Sequence, residues 1–171
     1  MSSAPGRPRR KLPFDPIDEA ARQWSLRWDG VPQMHAVTSL MRVQQLVLAS
    51  LDEILKPHGL TFARYEALVL LTFARAGSLP LGKMGERLQV HPTSVTSIVD
   101  RLESAGLVVR RRHPRDGRAV LAEITAQGRA VVEAATADLV AADFALGALS
   151  EVQLAQVSEL LRPVRESAGD F

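Results

Sequence analysis

Cysteine is absent from the 171 residues, which excludes a disulfide framework, a thiol nucleophile, a cysteine-based redox sensor and a thiolate metal site. No apolar run approaches the roughly 20 residues that a membrane helix needs. The first residues, MSSAPGRPRRKLPF, lack the apolar stretch of a secretory signal, so a cytoplasmic protein is the default expectation. Neither a glycine-rich phosphate loop, a nucleophile elbow nor a carboxylate–histidine metal motif is present, which gives no foothold for an enzyme. His35, His58, His91 and His113 have no ligand-like spacing and read as surface or turn residues. The pattern therefore implies neither a metal nor a cofactor. Lysine is also scarce. Arginine supplies 18 of the 21 cations, so the isoelectric point is about 9.5 although the net charge is only +2.

What is present is enough apolar material for a core. Hydrophobic residues make up 46% and charged residues 23% of the chain, as in one folded domain, or one domain with an appended segment. The small net charge conceals strong local asymmetry. Residues 1–11 carry +4, residues 12–107 carry −1, residues 108–118 carry +4 and residues 119–171 carry −5. Two short basic blocks set against an acidic C-terminal third point to a polyanionic partner.

Residues 1–14, rich in proline, serine and arginine, read as a disordered basic tail. Asp15 before Pro16 signals a helix start, with Ile17, Ala20, Ala21, Trp24 and Trp28 at helical spacing to about Trp28. Gly30 and Pro32 break that segment, making 15–32 an extra N-terminal helix. A second helical pattern runs from Met34 to about Lys56 through Val37, Leu40, Met41, Leu48, Leu51 and Leu55. Thr61 is a candidate cap for a third helix that closes near Gly77.

The stretch that follows is the most specific. LPLGKMGERLQV gives a short helix, and a turn at 89–91 leads to Pro92 and another. On that second helix Val95, Ile98, Val99 and Leu102 recur at i, i+3, i+4 and i+7 as a buried stripe. Thr93, Ser97, Asp100 and Ser104 point the other way, with Thr96 and Arg101 on the flanks. Two short helices joined by a tight turn, the second with small hydroxyl residues on its free face, form a helix-turn-helix. Residues 107–112 and 118–124 then read as two strands around the turn His113-Pro-Arg-Asp-Gly117. A β-hairpin directly after a recognition helix is a wing. Thr125 caps an alanine-rich helix to about Leu146. Ser150 and Gln153 form a capping box for a last helix to Pro163, with Leu149 and Leu154 placed as a staple.

These motifs resemble the MarR family of winged helix-turn-helix transcriptional regulators. Asp116-x-Arg118, five residues, then Ile124-Thr125-x-x-Gly128 match the family's wing signature, with isoleucine in place of leucine. HPTSVTSIVDRLESAGLVVRR resembles its recognition helix and first wing strand, and the likeness spans Val37 to Leu161. It implies a mainly α fold with a β-hairpin wing over residues 33–168. Within that span, 61–124 form the DNA-binding part, and 33–57 and 126–165 dimerise two subunits. The implied partners are double-stranded DNA bearing a pseudo-palindromic operator, a second copy of the chain, and a small anionic or aromatic effector seated between the dimerisation and DNA-binding parts. No membrane partner is implied. The implied function is a ligand-responsive repressor.

Thr93, Ser94, Thr96 and Ser97 are short enough to let the helix backbone approach base edges, and Arg101 can reach a phosphate or a guanine. Arg112, Arg115 and Arg118 suit a narrow minor groove. The resemblance assigns Asp116 to holding the wing in shape. A urate-responsive subgroup of the family has an extra N-terminal helix with a pocket tryptophan and a nearby acid. Trp24 and Glu66 resemble those positions and Trp28 adjoins them, but Ile98 stands where that subgroup has arginine. A simpler role for the two tryptophans is to pack the extra helix. A different reading of the whole is a sequence-tolerant architectural or interaction winged helix that uses the tail and wing as basic patches.

Overall fold

The computed structural model describes residues 12–113 and 119–171. The chain divides into two units, the first ending at Leu46 and the second running from Val47 to Phe171.

In the first unit, α1 (Pro16–Ser25) starts where Asp15 accepts a hydrogen bond from the Ile17 N–H at 2.7 Å, with Pro16 opening the helix. It stops at Ser25 rather than near Trp28. The N–H groups of Arg27 and Trp28 both turn back to the Trp24 carbonyl at 2.9 Å, and the Trp24 Nε1–H donates to the Asp29 carbonyl at 2.8 Å. Gly30, at φ +74°, reverses the chain in the left-handed region that glycine tolerates. Helix α2 (Val31–Leu55) begins one residue later. Pro32 thus sits in the first turn, where its missing N–H costs nothing, and acts as a starter instead of a breaker. His35 on α2 and Asp18 on α1 meet at 2.8 Å.

The second unit opens with the C-terminal turns of α2 and a 3₁₀ turn over Lys56–His58, ended by Gly59. Helix α3 (Phe62–Phe73) has Thr61 at its cap position, but the Thr61 side chain does not supply the cap. Asp52 does so instead, accepting from the Phe62 N–H at 2.7 Å. A short strand, β1 (Ser78–Pro80), follows where periodicity gave no sign of one. Then come α4 (Leu81–Leu88), α5 (Pro92–Ser104), β2 (Val108–Arg112), β3 (Val120–Ile124), α6 (Ala126–Ala141) and α7 (Glu151–Ser167). The wing is therefore part of a three-stranded antiparallel sheet of order β1-β3-β2.

Among the described residues, the buried apolar ones all belong to the second unit, from Leu51 to Leu139. They join α3, α5, the sheet and α6 into one core around Leu68, Leu71, Met84, Val99, Leu102, Val108 and Leu139. The Ile124-Thr125-x-x-Gly128 signature has a packing explanation there. Thr125 caps α6 by accepting from the Gly128 N–H at 2.9 Å, while its hydroxyl donates to the Gly106 carbonyl at 2.8 Å. A Cβ on Gly128 would lie 2.2 Å from the Leu107 carbonyl oxygen. Only glycine lets the start of α6 lie this close to the chain entering β2.

Three further helix ends depart from expectation, the first being α3, which stops at Phe73 rather than near Gly77 as Ala74 turns to extended backbone. Helix α6 stops at Ala141, not near Leu146, because Asp143, Phe144 and Ala145 take left-handed φ values of 49°, 49° and 60°. Helix α7 starts at the expected capping box, but it runs through Pro163 to Ser167. That proline removes one hydrogen bond on an exposed helix, where water can serve the freed carbonyl. No helix among the described residues is long and apolar enough to cross a membrane.

Candidate nucleic-acid interface

The reading head is built from α4, a turn and α5. Gln89 ends α4 in the left-handed region at φ 53°, and its N–H returns to the Gly85 carbonyl. Val90 donates to the same oxygen at 3.2 Å. Gly85 is buried where the helices approach, and an added Cβ would stand 3.3 Å from both the Val90 carbonyl and the Val95 side chain. His91 then caps α5, its Nδ1 accepting from the Thr93 N–H at 3.3 Å. By spacing alone His91 is a surface or turn residue. Its position immediately before Pro92 was the signal available.

Val95, Val99 and Leu102 bury the inner stripe of α5, with Ile98 half-buried beside them. Thr93, Ser94, Thr96, Ser97 and Arg101 are all exposed on the remaining surface. The Thr96 hydroxyl is back-bonded to the Pro92 carbonyl at 3.1 Å and offers a partner its lone pairs. Neither Ser97 nor Arg101 has a side-chain partner among the described residues. The helix therefore presents short hydroxyls and one unengaged guanidinium, as a helix docking against base edges requires.

The arginines of the basic block divide into two kinds. Arg110, which charge counting alone would aim at phosphate, is turned inward onto α5. Its guanidinium pairs with Glu103 and with Asp100 at 2.6 Å. Its backbone N–H donates to the Glu103 carboxylate at 3.0 Å. Burial alone would lower the basicity of Arg110, but the hydrogen bonds to Glu103 and Asp100 outweigh it and raise it further. One side chain thus fastens the first wing strand to the recognition helix. Arg111 is also engaged, reaching across the hairpin to Glu123 at 3.1 Å. Arg112 is exposed, opposite Val120 in the β2–β3 register, with no ion pair among the described residues. Arg115, Asp116 and Arg118 lie outside the described residues. The Asp100/Glu103 spacing of three, followed by Arg110, was the legible trace of this joint. Its partners meet only through folding.

The remaining candidates lie elsewhere. Trp24 and Trp28 pack on each other in the first unit with ring centroids 4.8 Å apart, and the Trp24 N–H is already used by Asp29. Glu66 lies on α3 in the second unit, where partial burial pushes its carboxyl above the ordinary range. A cleft of about 300 Å³ opens between α3 and α6, walled by Tyr65, Val69, Thr72, Val132, Glu133 and Thr136, and Glu66 is not among its lining residues. The Tyr65 hydroxyl meets Thr136 Oγ1 at 2.9 Å across it.

Comparison with known proteins agrees with this geometry. The MarR family model matches residues 63–120, from α3 to the first residue of β3. The crystal structure of Sco5413, a MarR family transcriptional regulator from Streptomyces coelicolor, is 58% identical with a TM-score of 0.78, covering 83% of this chain and 99% of that one. The HTH-type transcriptional regulator MhqR of Bacillus subtilis is 29% identical over 133 residues, 77% of this chain and 90% of that protein. A MarR variant from E. coli, solved in complex with operator DNA, is 25% identical with a TM-score of 0.67, covering 88% of this chain and 99% of that one. The chain belongs to the MarR family of transcriptional regulators.

Proposed function

We propose that the protein is a sequence-specific DNA-binding regulator that acts as a homodimer on a pseudo-palindromic operator and represses transcription until an effector releases it. The observation that carries this reading is α5. One face is locked into the core by Val95, Val99 and Leu102, and the other offers Thr93, Ser94, Thr96, Ser97 and Arg101 to a partner. The wing strand held against α5 by Arg110 brings Arg112 alongside for phosphate and minor-groove contact, and the reading gives the same role to Arg115 and Arg118, which lie outside the described residues. The structural relative solved with operator DNA supports the same mode. This function is binding alone and asks no group to perform covalent chemistry.

Two helices with exposed apolar faces support the homodimer. Val37, Leu40, Met41, Val43 and Leu46 of α2 are exposed, as are Val152, Val157, Leu160 and Val164 of α7. A second copy covering these faces would bring two recognition helices to one duplex. The α3–α6 cleft is the proposed effector seat, since α3 belongs to the DNA-reading part and α6 to the dimerising part. A role for Trp24, Trp28 and Glu66 in holding an effector is a separate reading, tested by tryptophan quenching on ligand addition.

Competition binding tests the function. A palindrome-containing duplex from the regulated promoter is expected to bind about 10³-fold or more tightly than random duplex of equal length at physiological salt. Equal affinity for both, with a steep salt dependence, would mean a sequence-tolerant architectural protein instead.

A further inference from the structure

The hydrogen-bond state of the α3–α6 cleft constrains what it can hold, and this deepens the effector reading above. Thr136 Oγ1 lies 2.7 Å from the Val132 carbonyl and donates its proton there. The 2.9 Å contact between Tyr65 Oη and Thr136 Oγ1 must then be made with the tyrosine proton. Tyr65 is left with lone pairs only. Thr72 is in the same condition, since its hydroxyl donates to the Leu68 carbonyl at 2.9 Å. The remaining polar side chain lining the cleft is that of Glu133, and among the described residues no lysine, arginine or histidine lines it. Every side-chain polar group facing this space accepts, and the one formal charge is negative. Val69, Val132 and Phe73 supply apolar wall.

From this donor–acceptor pattern we infer that the cleft takes a neutral or cationic aromatic molecule bearing N–H or O–H donors, and that it discriminates against carboxylates. A carboxylate placed here would meet acceptors on every polar side, lose its hydration and gain no donor in return, an unpaired polar group of the costly kind. An amine or phenol on the same ring would find Tyr65, Thr72 or Glu133 ready to accept. Of the two effector chemistries implied by the family resemblance, aromatic and anionic, the cleft is built for the first without the second. A volume of about 300 Å³ suits a fused bicyclic ring rather than a larger conjugate.

The test is a matched pair of probes on the full chain at neutral pH, naphthylmethylamine and naphthoate, followed by calorimetry and by release of bound operator duplex. The amine is expected to bind at least about tenfold more tightly than the carboxylate. Glu133→Gln should cost the amine about three- to fivefold and should not weaken the carboxylate. Val69→Phe, which fills the cleft, should abolish binding of the amine. Naphthoate binding as tightly as the amine, and lost on Val69→Phe, would overturn the ligand class while leaving the cleft as the effector seat. Failure of both probes to bind, or binding indifferent to both substitutions, would overturn the seat along with the class.

Discussion

Helices α5 and α7 follow one building rule and end in opposite situations. Each carries apolar residues at helical spacing and a polar remainder. On α5 the stripe of Val95, Val99 and Leu102 is closed by the chain's own core, each side chain at 2% exposure or less. Burying such side chains contributes roughly 1.5–3 kcal/mol apiece, so the reading head is complete within one chain and its polar face is free to work. On α7 no residue is buried, and Leu160 stands 74% exposed. The hydrophobic stabilisation available to α7 is unrealised until something covers it. The difference separates two tasks. On the proposed function, DNA reading rests on a lobe closed within one chain, and pairing on helices that a second copy would complete.

The largest way to break that contrast is to charge the uncovered face. Leu160→Glu should leave helical content unchanged, convert dimer to monomer by size-exclusion chromatography with light scattering, and weaken operator binding about 100-fold or more through loss of bivalent engagement. Retention of both dimer and affinity would remove α7 from the interface.

Gly128→Ala strikes the self-sufficient lobe instead. The new methyl meets the Leu107 carbonyl at 2.2 Å, so stability should fall by about 1–3 kcal/mol in urea titration while the dimer contacts persist. Arg110→Ala removes the joint between wing and recognition helix and leaves Asp100 and Glu103 unpaired toward the DNA. A loss of about tenfold in operator affinity is expected, with a drop of about 1–2 kcal/mol in stability. Arg110→Lys should recover only part of both, because an ammonium cannot fork to two carboxylates. Arg101→Ala should be gentler, reducing operator affinity by about 1 kcal/mol and the salt slope by about one if it contacts phosphate.

Most of the reading head and several other elements were legible in the sequence because local rules specify them. The α5 stripe, the Asp15 and Ser150 caps and the two wing strands each rest on residues within a few positions of one another. What escaped depends on contacts formed at a distance. Strand β1 has three residues and no alternation to betray it, and it exists because Ser78, Leu79 and Pro80 pair with β3 across more than forty residues of chain. The cap of α3 passes from Thr61 to Asp52, a helix away. Pro163 reads as a stop by propensity, yet α7 continues, since an exposed helix tolerates one missing hydrogen bond. At the candidate site, the residue types proposed to face DNA were readable. The division of the arginines into Arg110 and Arg111, which hold the wing, and Arg112, which stays exposed, needed the fold. Charge counting weighs all three equally, and only geometry shows which are already neutralised.

The pairing of two self-sufficient heads is tested most directly by dimethyl sulfate interference on the operator duplex, which reports guanine contacts in the major groove. Two recognition helices on one dimer predict two symmetric clusters of interference, one helical turn of about 10 base pairs or a multiple of it apart, both lost in Leu160→Glu at protein concentrations where the wild type protects fully. A single cluster that survives Leu160→Glu, or interference spread evenly along the duplex, would contradict the account.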